Sequence, residues 1–255
     1  MENYYEKLAG RYRTLRMTDN EPVDFACKLL SSLKEGRIEV ADMGCGAGRY
    51  AKLFLENLGD NLFLHCFDTN EVMLNQLEKY LSGEGIKNFS AKVADAREVP
   101  LTENMLDAVV CFNSVHHIGV AGLLREVSRI LKPGGLFFIY TRSRAQNART
   151  VWGRYFPLFQ RKESRLYEPE EFEFKVEKFP DFEIETAKTF TYERVTSKKD
   201  LEEKASAKAY SPFHFYGPEE FDRAFDEFKR KLEDQFEGDV EWEDEKIMYV
   251  LKKRA

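Results

Sequence analysis

The chain has 255 residues, 43% hydrophobic and 33% charged, enough apolar material to bury a core and too much for wholesale disorder. Its 39 Lys and Arg against 45 Asp and Glu leave a net charge of −6, which argues against a protein that coats nucleic acid through general basicity. No apolar run reaches the roughly 18 residues of a membrane helix, and the opening MENYYEKLAG has no apolar h-region, so no secretory signal is expected. The cysteines Cys27, Cys45, Cys66 and Cys111 form no CxxC pair and no metal-finger spacing, which predicts a reduced, cytoplasmic protein without a bound metal.

Arg37–Met43 reads as a strand, Gly48–Leu58 as a helix and Asn61–Phe67 as a second strand. A helix follows over Asn70–Leu81, with Met73, Leu74, Leu77, Tyr80 and Leu81 at helical spacing. Phe89–Ala94 is a short strand, and Leu106–Phe112 is the near-continuous apolar run of a strand covered on both faces. Val120–Leu131 is a helix that stops before Lys132-Pro133-Gly134-Gly135, and Leu136–Tyr140 is the next strand. Strands separated by single helices predict right-handed βαβ units, hence a mostly parallel sheet with helices on both faces.

After Thr141 the character changes: Trp152–Phe221 holds 16 of the 35 aromatic residues. Phe182–Val195 and Val240–Lys252 read as strands, Lys198–Ala209 and Pro218–Phe236 as helices. The last helix carries Phe221, Phe225, Phe228, Leu232 and Phe236 on one stripe. Residues 142–180 and 196–237 are read as insertions that cap the sheet within a single domain, with the ligand-binding core at 36–141. Their aromatic side chains build the core of the cap, the wall of a pocket, or both.

Asp42-Met43-Gly44-Cys45-Gly46-Ala47-Gly48 follows the first strand and opens the first helix. Glycines there permit a tight turn and close approach of a ligand to the backbone, while the helix N-terminus presents free N–H groups. Asp68, 20 residues after Gly48 at the end of the second strand, is placed to accept hydrogen bonds from ribose hydroxyls. Asp95, after the third strand, is within reach of an adenine amino group, so all three elements meet at the carboxyl edge of one sheet. The acid Asp42, two residues before the first glycine, would repel a pyrophosphate and welcome a cationic amino acid end. That favours S-adenosylmethionine (SAM) over NAD.

VADMGCGAGRY, CFDTN, ADAREVPL, LDAVVCFNSVHHI and REVSRILKPGGLFFI together resemble the successive motifs of class I SAM-dependent methyltransferases, most closely the branch of the ubiquinone and menaquinone biosynthesis enzymes. The resemblance covers residues 36–141. It implies a Rossmann-like α/β fold with a seven-stranded sheet ending in an antiparallel hairpin, here interrupted by the aromatic-rich cap. It also implies methyl transfer from SAM, with S-adenosylhomocysteine as product. Carried onto this sequence, Gly44, Cys45, Gly46 and Gly48 hold the methionine part, with Asp42 nearby. Asp68 takes the ribose, flanked by Thr69 and Asn70. Asp95 and Ala96 contact adenine, with Arg97 stacked near it, and Asn113 and Ser114 line the methyl end. The segment from Tyr4 to Tyr12 resembles the lid helix of this branch, and Tyr12 is expected to close over the cofactor.

A sulfonium is already activated, so a base is needed only where the acceptor loses a proton early. His117, beside His116 after the fourth strand, is the candidate, and a structural role in the loop is the alternative. For the acceptor, residues 142–165 carry seven basic side chains and one acidic, a net +6, leaving −12 for the rest of the chain. Arg142, Arg144, Arg149 and Arg154 are placed to pair with a carboxylate or phosphate, with Trp152, Tyr155, Phe156 and Phe159 interleaved. Tyr210 and Phe213 lie in a second aromatic loop that would close the pocket.

Three functions are therefore open. The first is methylation of a small aromatic or amphipathic acceptor, which an anionic group would suit. The second is methylation of tRNA, since IYTRSRAQN resembles the wobble-uridine tRNA methyltransferases and aromatic and basic residues together suit RNA. One continuous exposed basic patch over 142–165 would favour it. The third is a SAM-binding protein without transferase activity, which a cap with no acceptor cavity would favour.

Overall fold

The computed structural model describes residues 12–33 and 35–254. Its strands are β1 (Ile38–Met43), β2 (Leu62–Asp68), β3 (Phe89–Val93), β4 (Leu106–Phe112), β5 (Leu131–Thr141), β6 (Phe182–Thr196) and β7 (Val240–Lys253). They form one sheet in the order β3-β2-β1-β4-β5-β7-β6. The first five pair in parallel, and β7 runs antiparallel to both β5 and β6. This is the expected seven-stranded α/β fold with its terminal hairpin. The apolar runs have the expected cause: every residue of β4 is buried, because helices cover both faces of the central strands.

The helices are α1 (Tyr12–Leu15), α2 (Glu21–Ser31), α3 (Arg49–Leu58), α4 (Glu71–Gly83), α5 (Val115–Ile118), α6 (Val120–Ile130), α7 (Arg144–Arg149), α8 (Val151–Tyr155), α9 (Phe159–Lys162), α10 (Pro169–Glu177), α11 (Lys198–Ser206) and α12 (Pro218–Gln235). On one face Ala26, Phe54 and Leu77 of α2, α3 and α4 pack on Val40, Leu64 and Val110 of the sheet. On the other, Leu124 of α6 and Phe172 of α10 pack on Val109, Phe137 and Tyr249. Each fully buried Val, Leu or Phe side chain among them stabilises the fold by about 1.5–3 kcal/mol.

Two expectations change. Lys132-Pro133-Gly134-Gly135 lies inside β5 as an outward loop: Leu131 pairs with Leu106, and pairing resumes at Leu136 with Ala108. Gly134 takes φ +78, and a Cβ on Gly135 would sit 2.9 Å from the Asp107 carbonyl oxygen. The segment 142–180 also divides. Helices α7 to α9 cap the sheet, whereas α10 is a covering helix of the sheet itself, because Phe172 and Val176 are buried against Tyr249 and Phe182.

The cap has its own core. Trp152, Phe156 and Phe159 pack on Phe213 and on Phe221, Phe228 and Leu232 of the α12 stripe. The Trp152 and Phe228 rings stack at 5.4 Å. Residues 13–17 bridge this cap to the sheet: Arg13 donates to the Ala47 carbonyl, Arg49 to the Met17 carbonyl, and Arg16 lies 4.2 Å over the Tyr210 ring.

Candidate functional site

The loop between β1 and α3 takes left-handed backbone at Gly44, Gly46 and Gly48, with φ of +77°, +55° and +80°. At Gly44 a side chain is excluded twice over, by this conformation and because a Cβ would lie 2.6 Å from the Ser114 Cβ. The Ser114 hydroxyl donates to the Met43 carbonyl at 2.8 Å, so the ends of β1 and β4 are tied into one floor. Asn113, at φ +56°, turns the chain there, and its N–H donates to the Tyr140 carbonyl at 2.7 Å.

Asp68 ends β2 facing this loop. Its two carboxyl oxygens accept from the N–H groups of Gly46 at 2.8 Å and Asn70 at 2.9 Å, which fixes the carboxylate at the sheet edge. Burial raises its pKa, and these backbone N–H groups oppose the rise. Asp42 is 2% exposed. Burial, and then the neighbouring Asp68 charge, push its pKa up to about 7. Arg97 pairs with Asp95, holding that carboxyl below its ordinary range, and a Cβ on Gly122 would meet the Arg97 stem at 2.9 Å.

A cavity of about 630 Å³ runs from this loop into the cap, within the range of about 300–1,000 Å³ of small-molecule sites. It brings together Gly44, Cys45, Gly46, Asp68, Thr69, Asn70, Asp95, Ala96, Arg97, Asn113, Ser114 and His117 of the expected residues, and Trp152 and Tyr210 from the cap. Asp42 and Gly48 lie outside its wall, Asp42 within the buried part of β1 and Gly48 against Leu77 of α4. The expected lid over residues 4–12 lies outside the described residues, save the backbone of Tyr12, which opens α1.

Six expected acceptor residues, Arg144, Arg149, Arg154, Tyr155, Phe156 and Phe213, do not reach the cavity. Arg149 points to Glu245 and Arg154 is exposed. Tyr155 packs edge-on against Phe236, and Phe213 is fully buried inside the cap. The basic segment is also not one free patch. Arg142 meets Asp244, Arg144 meets Glu168 and Glu171, Lys162 meets Glu220 and Arg165 meets Glu163. All of these acids except Glu163 come from outside residues 142–165, and sequence proximity gave no signal of them.

His117 accepts at Nδ1 from Arg165 at 2.9 Å, and Arg165 is itself held by both carboxyl oxygens of Glu163, at 2.9 and 2.5 Å. Burial, then Arg165 and Arg16, push the His117 pKa down to about 4. The ring is therefore neutral at physiological pH with its lone pair already engaged, so Nε2 carries the proton. Held this way, its Nδ1 is engaged by Arg165 rather than open to an acceptor's proton. His116 lies tilted beside it with ring centroids 4.2 Å apart, and its buried Nδ1 has no hydrogen-bond partner. Burial, His117 and the charges of Arg165, Arg16 and Arg142 drive its pKa well below the ordinary histidine range.

Arg16, Met17, Arg49, Tyr50, Arg142 and Lys246 also line the cavity. Of these only Arg142 carried a signal in the sequence, as one of the basic segment. Two features fit a SAM molecule with its amino acid and sulfonium charges. Buried Asp42 and Asp68 make the loop end acidic, and the buried Nε of Arg49 beside the loop lacks a partner.

Comparison with known proteins agrees with this arrangement. Residues 40–135 match a family model described as a methyltransferase domain. Over 140 residues, 53% of this chain, the sequence is 30% identical to the tRNA (carboxymethyluridine(34)-5-O)-methyltransferase ALKBH8 of Macaca fascicularis. Over 110 residues, 42% of this chain, it is 30% identical to the sterol 24-C-methyltransferase erg6 of Aspergillus fumigatus. The matched stretches are 19% and 28% of those two proteins, so the chain spans less than a third of either. The crystal structure of YcgJ from Bacillus subtilis shares the fold, with a TM-score of 0.64 at 13% identity over 93% of this chain and 100% of that one. No helix among the described residues is long and apolar enough to cross a membrane. The glycine loop, the acid-ended strands and the family match agree that residues 40–135 of the chain form a methyltransferase domain.

Proposed function

We propose that this protein methylates a small aromatic or amphipathic acceptor held beneath the cap. The observation that carries the reading is the continuity of one cavity from the glycine loop to Trp152, Phe159, Tyr210, Phe215 and Trp242. Bound SAM supplies an activated methyl group on its sulfonium and leaves as S-adenosylhomocysteine. Asp68 and Asp95 orient the nucleoside, and the glycine loop lets the methionine end lie close to the backbone. Asn113 and Ser114 form the floor at the end of β4, and the aromatic wall excludes water and aligns the acceptor for in-line attack. The motif order over residues 36–141 supports the quinone-biosynthesis-type branch, whose acceptors are of this kind. The unpaired cysteines support a reduced, cytoplasmic setting.

The likeness to ALKBH8, named for tRNA methylation, favours a second reading in which the acceptor is a wobble uridine. Against it, four of the seven basic side chains of residues 142–165, Arg144, Arg149, Lys162 and Arg165, are paired with carboxylates rather than free for phosphates. A reading without methyl transfer is weakened by the presence of a roomy cap cavity.

The test is calorimetric titration with SAM and NAD, followed by transfer of labelled methyl from SAM to a panel of small aromatic acceptors and to bulk tRNA. Binding of SAM without NAD, and label on small molecules only, is expected. Label on tRNA would establish the second reading, and SAM binding with label on neither would support the third.

A further inference from the structure

The acceptor half of the cavity carries a charge imbalance that its own side chains leave open. Asp19, Asp244, Arg142, Arg194 and Lys246 form one cluster behind and within its wall. Lys246 donates to Asp19 at 2.6 Å, Arg194 reaches both Asp19 and Asp244, and Arg142 meets Asp244 at 3.0 Å. Side-chain exposure is 0% for Asp19, 7% for Lys246, 9% for Asp244, 15% for Arg194 and 20% for Arg142. Three cations thus share two carboxylates in a mostly buried place, where a surplus charge is expensive to leave unpaired. The neighbouring Arg165 is matched by Glu163 and does not change the balance.

The surplus falls on Arg142. Lys246 and Arg194 both hydrogen-bond Asp19, and Arg194 also reaches Asp244, so Arg142 shares its one carboxylate with a second cation. Arg142 touches Asp244 out of hydrogen-bonding line, leaving the buried Asp244 Oδ1 without a partner, and its guanidinium makes no hydrogen bond among the described residues. A planar fork of five donors in a cavity is suited to a two-oxygen anion. The opposite half, at the glycine loop, carries the Asp68 carboxylate in its wall. The cavity is therefore polarised, with its negative end at the cationic cofactor's site and its positive end under the cap.

Resting on the proposed small-molecule reading, we infer that the acceptor is an organic oxyanion, a carboxylate or phosphate on an aromatic or amphipathic body, and that Arg142 is the residue that binds its anionic group.

Both tryptophans of the chain, Trp152 and Trp242, line the cavity, so binding is read by their fluorescence. The full chain loaded with S-adenosylhomocysteine is titrated with 2-naphthoate, 2-naphthyl phosphate and the neutral 2-naphthamide. At least one anion is expected to bind ten-fold or more tighter than the amide, and the stronger of the two identifies the group. Arg142→Gln should abolish that ratio while leaving amide and SAM affinities within two-fold, and Arg142→Lys should restore part of it. Equal binding of acid and amide, or an unchanged ratio in Arg142→Gln, would overturn the inference and leave the small-molecule reading intact. A large loss of SAM affinity in Arg142→Gln would also overturn it, by assigning the guanidinium to the cofactor. Binding of none of the three probes, with SAM binding intact, would overturn both.

Discussion

Asp19 offers the sharpest test of how the N-terminal strap is locked to the acceptor wall. Its carboxyl is fully buried, accepts from Lys246 at 2.6 Å and from the Tyr140 hydroxyl at 3.0 Å, and pairs with Arg194. Burial alone would raise its pKa, but Lys246 and Arg194 outweigh that and lower it to about 2 from 3.8. A carboxyl that ionises near those two values in the folded and unfolded chain contributes about 2.5 kcal/mol. Because the folded value is the lower one, this stability is present above pH 3.8 and is lost as pH falls towards 2. Asp19→Asn keeps the shape but leaves Lys246 and Arg194 buried without their counter-charge, so the loss at pH 7 should be larger, about 3–5 kcal/mol. Urea unfolding followed by tryptophan fluorescence and circular dichroism measures it. The gap between wild type and variant should narrow as pH is lowered from 5 towards 2. Adding Lys246→Met should recover part of the loss, since it removes one stranded cation. A loss below about 1 kcal/mol, a gap independent of pH, or a double variant no better than the single one would refute the reasoning.

Asp68→Ala should weaken SAM binding by about 1–3 kcal/mol, the range for hydrogen bonds to a charged group, and unchanged affinity by calorimetry would mean the cofactor site is misassigned. Gly44→Ala should cut SAM affinity by more than ten-fold, because its Cβ would lie 2.6 Å from the Ser114 side chain; adding Ser114→Ala should not rescue it, since the clash is with Cβ and the φ of +77° remains. Arg165→Gln should raise the His117 pKa from about 4 towards the ordinary histidine value, followed by NMR titration of the ring protons; a value that does not move would mean burial alone sets it.

The repeating part of this protein is legible along the chain. The glycine loop, the acids that end β2 and follow β3, and the apolar runs of β1, β2 and β4 are written in residues that are neighbours or one period apart, so turn chemistry and periodicity locate them. The parallel pairing of the first five strands follows from the same alternation, whereas the terminal hairpin is an implication of the resemblance to class I methyltransferases and the strand order comes from the structure. The helix α10 shows the limit. Phe172 and Val176 lie at helical spacing in an aromatic-rich stretch, and only packing against Tyr249 and Phe182 shows that they cover the sheet instead of the cavity.

Which charges face the ligand was decided by the tertiary structure alone. Arg142 and Arg149 are seven residues apart in one basic segment, yet Arg149 is drawn outward by Glu245 while Arg142 opens into the cavity beside Asp244, on the same strand β7. His117 loses its lone pair to Arg165, 48 residues away, and Asp19 is claimed by Lys246 from 227 residues away. Local pattern encodes backbone conformation, because a residue's turn or strand preference is its own. The direction of a long charged side chain is set by whichever opposite charge the fold brings near, and that partner has no fixed spacing in sequence.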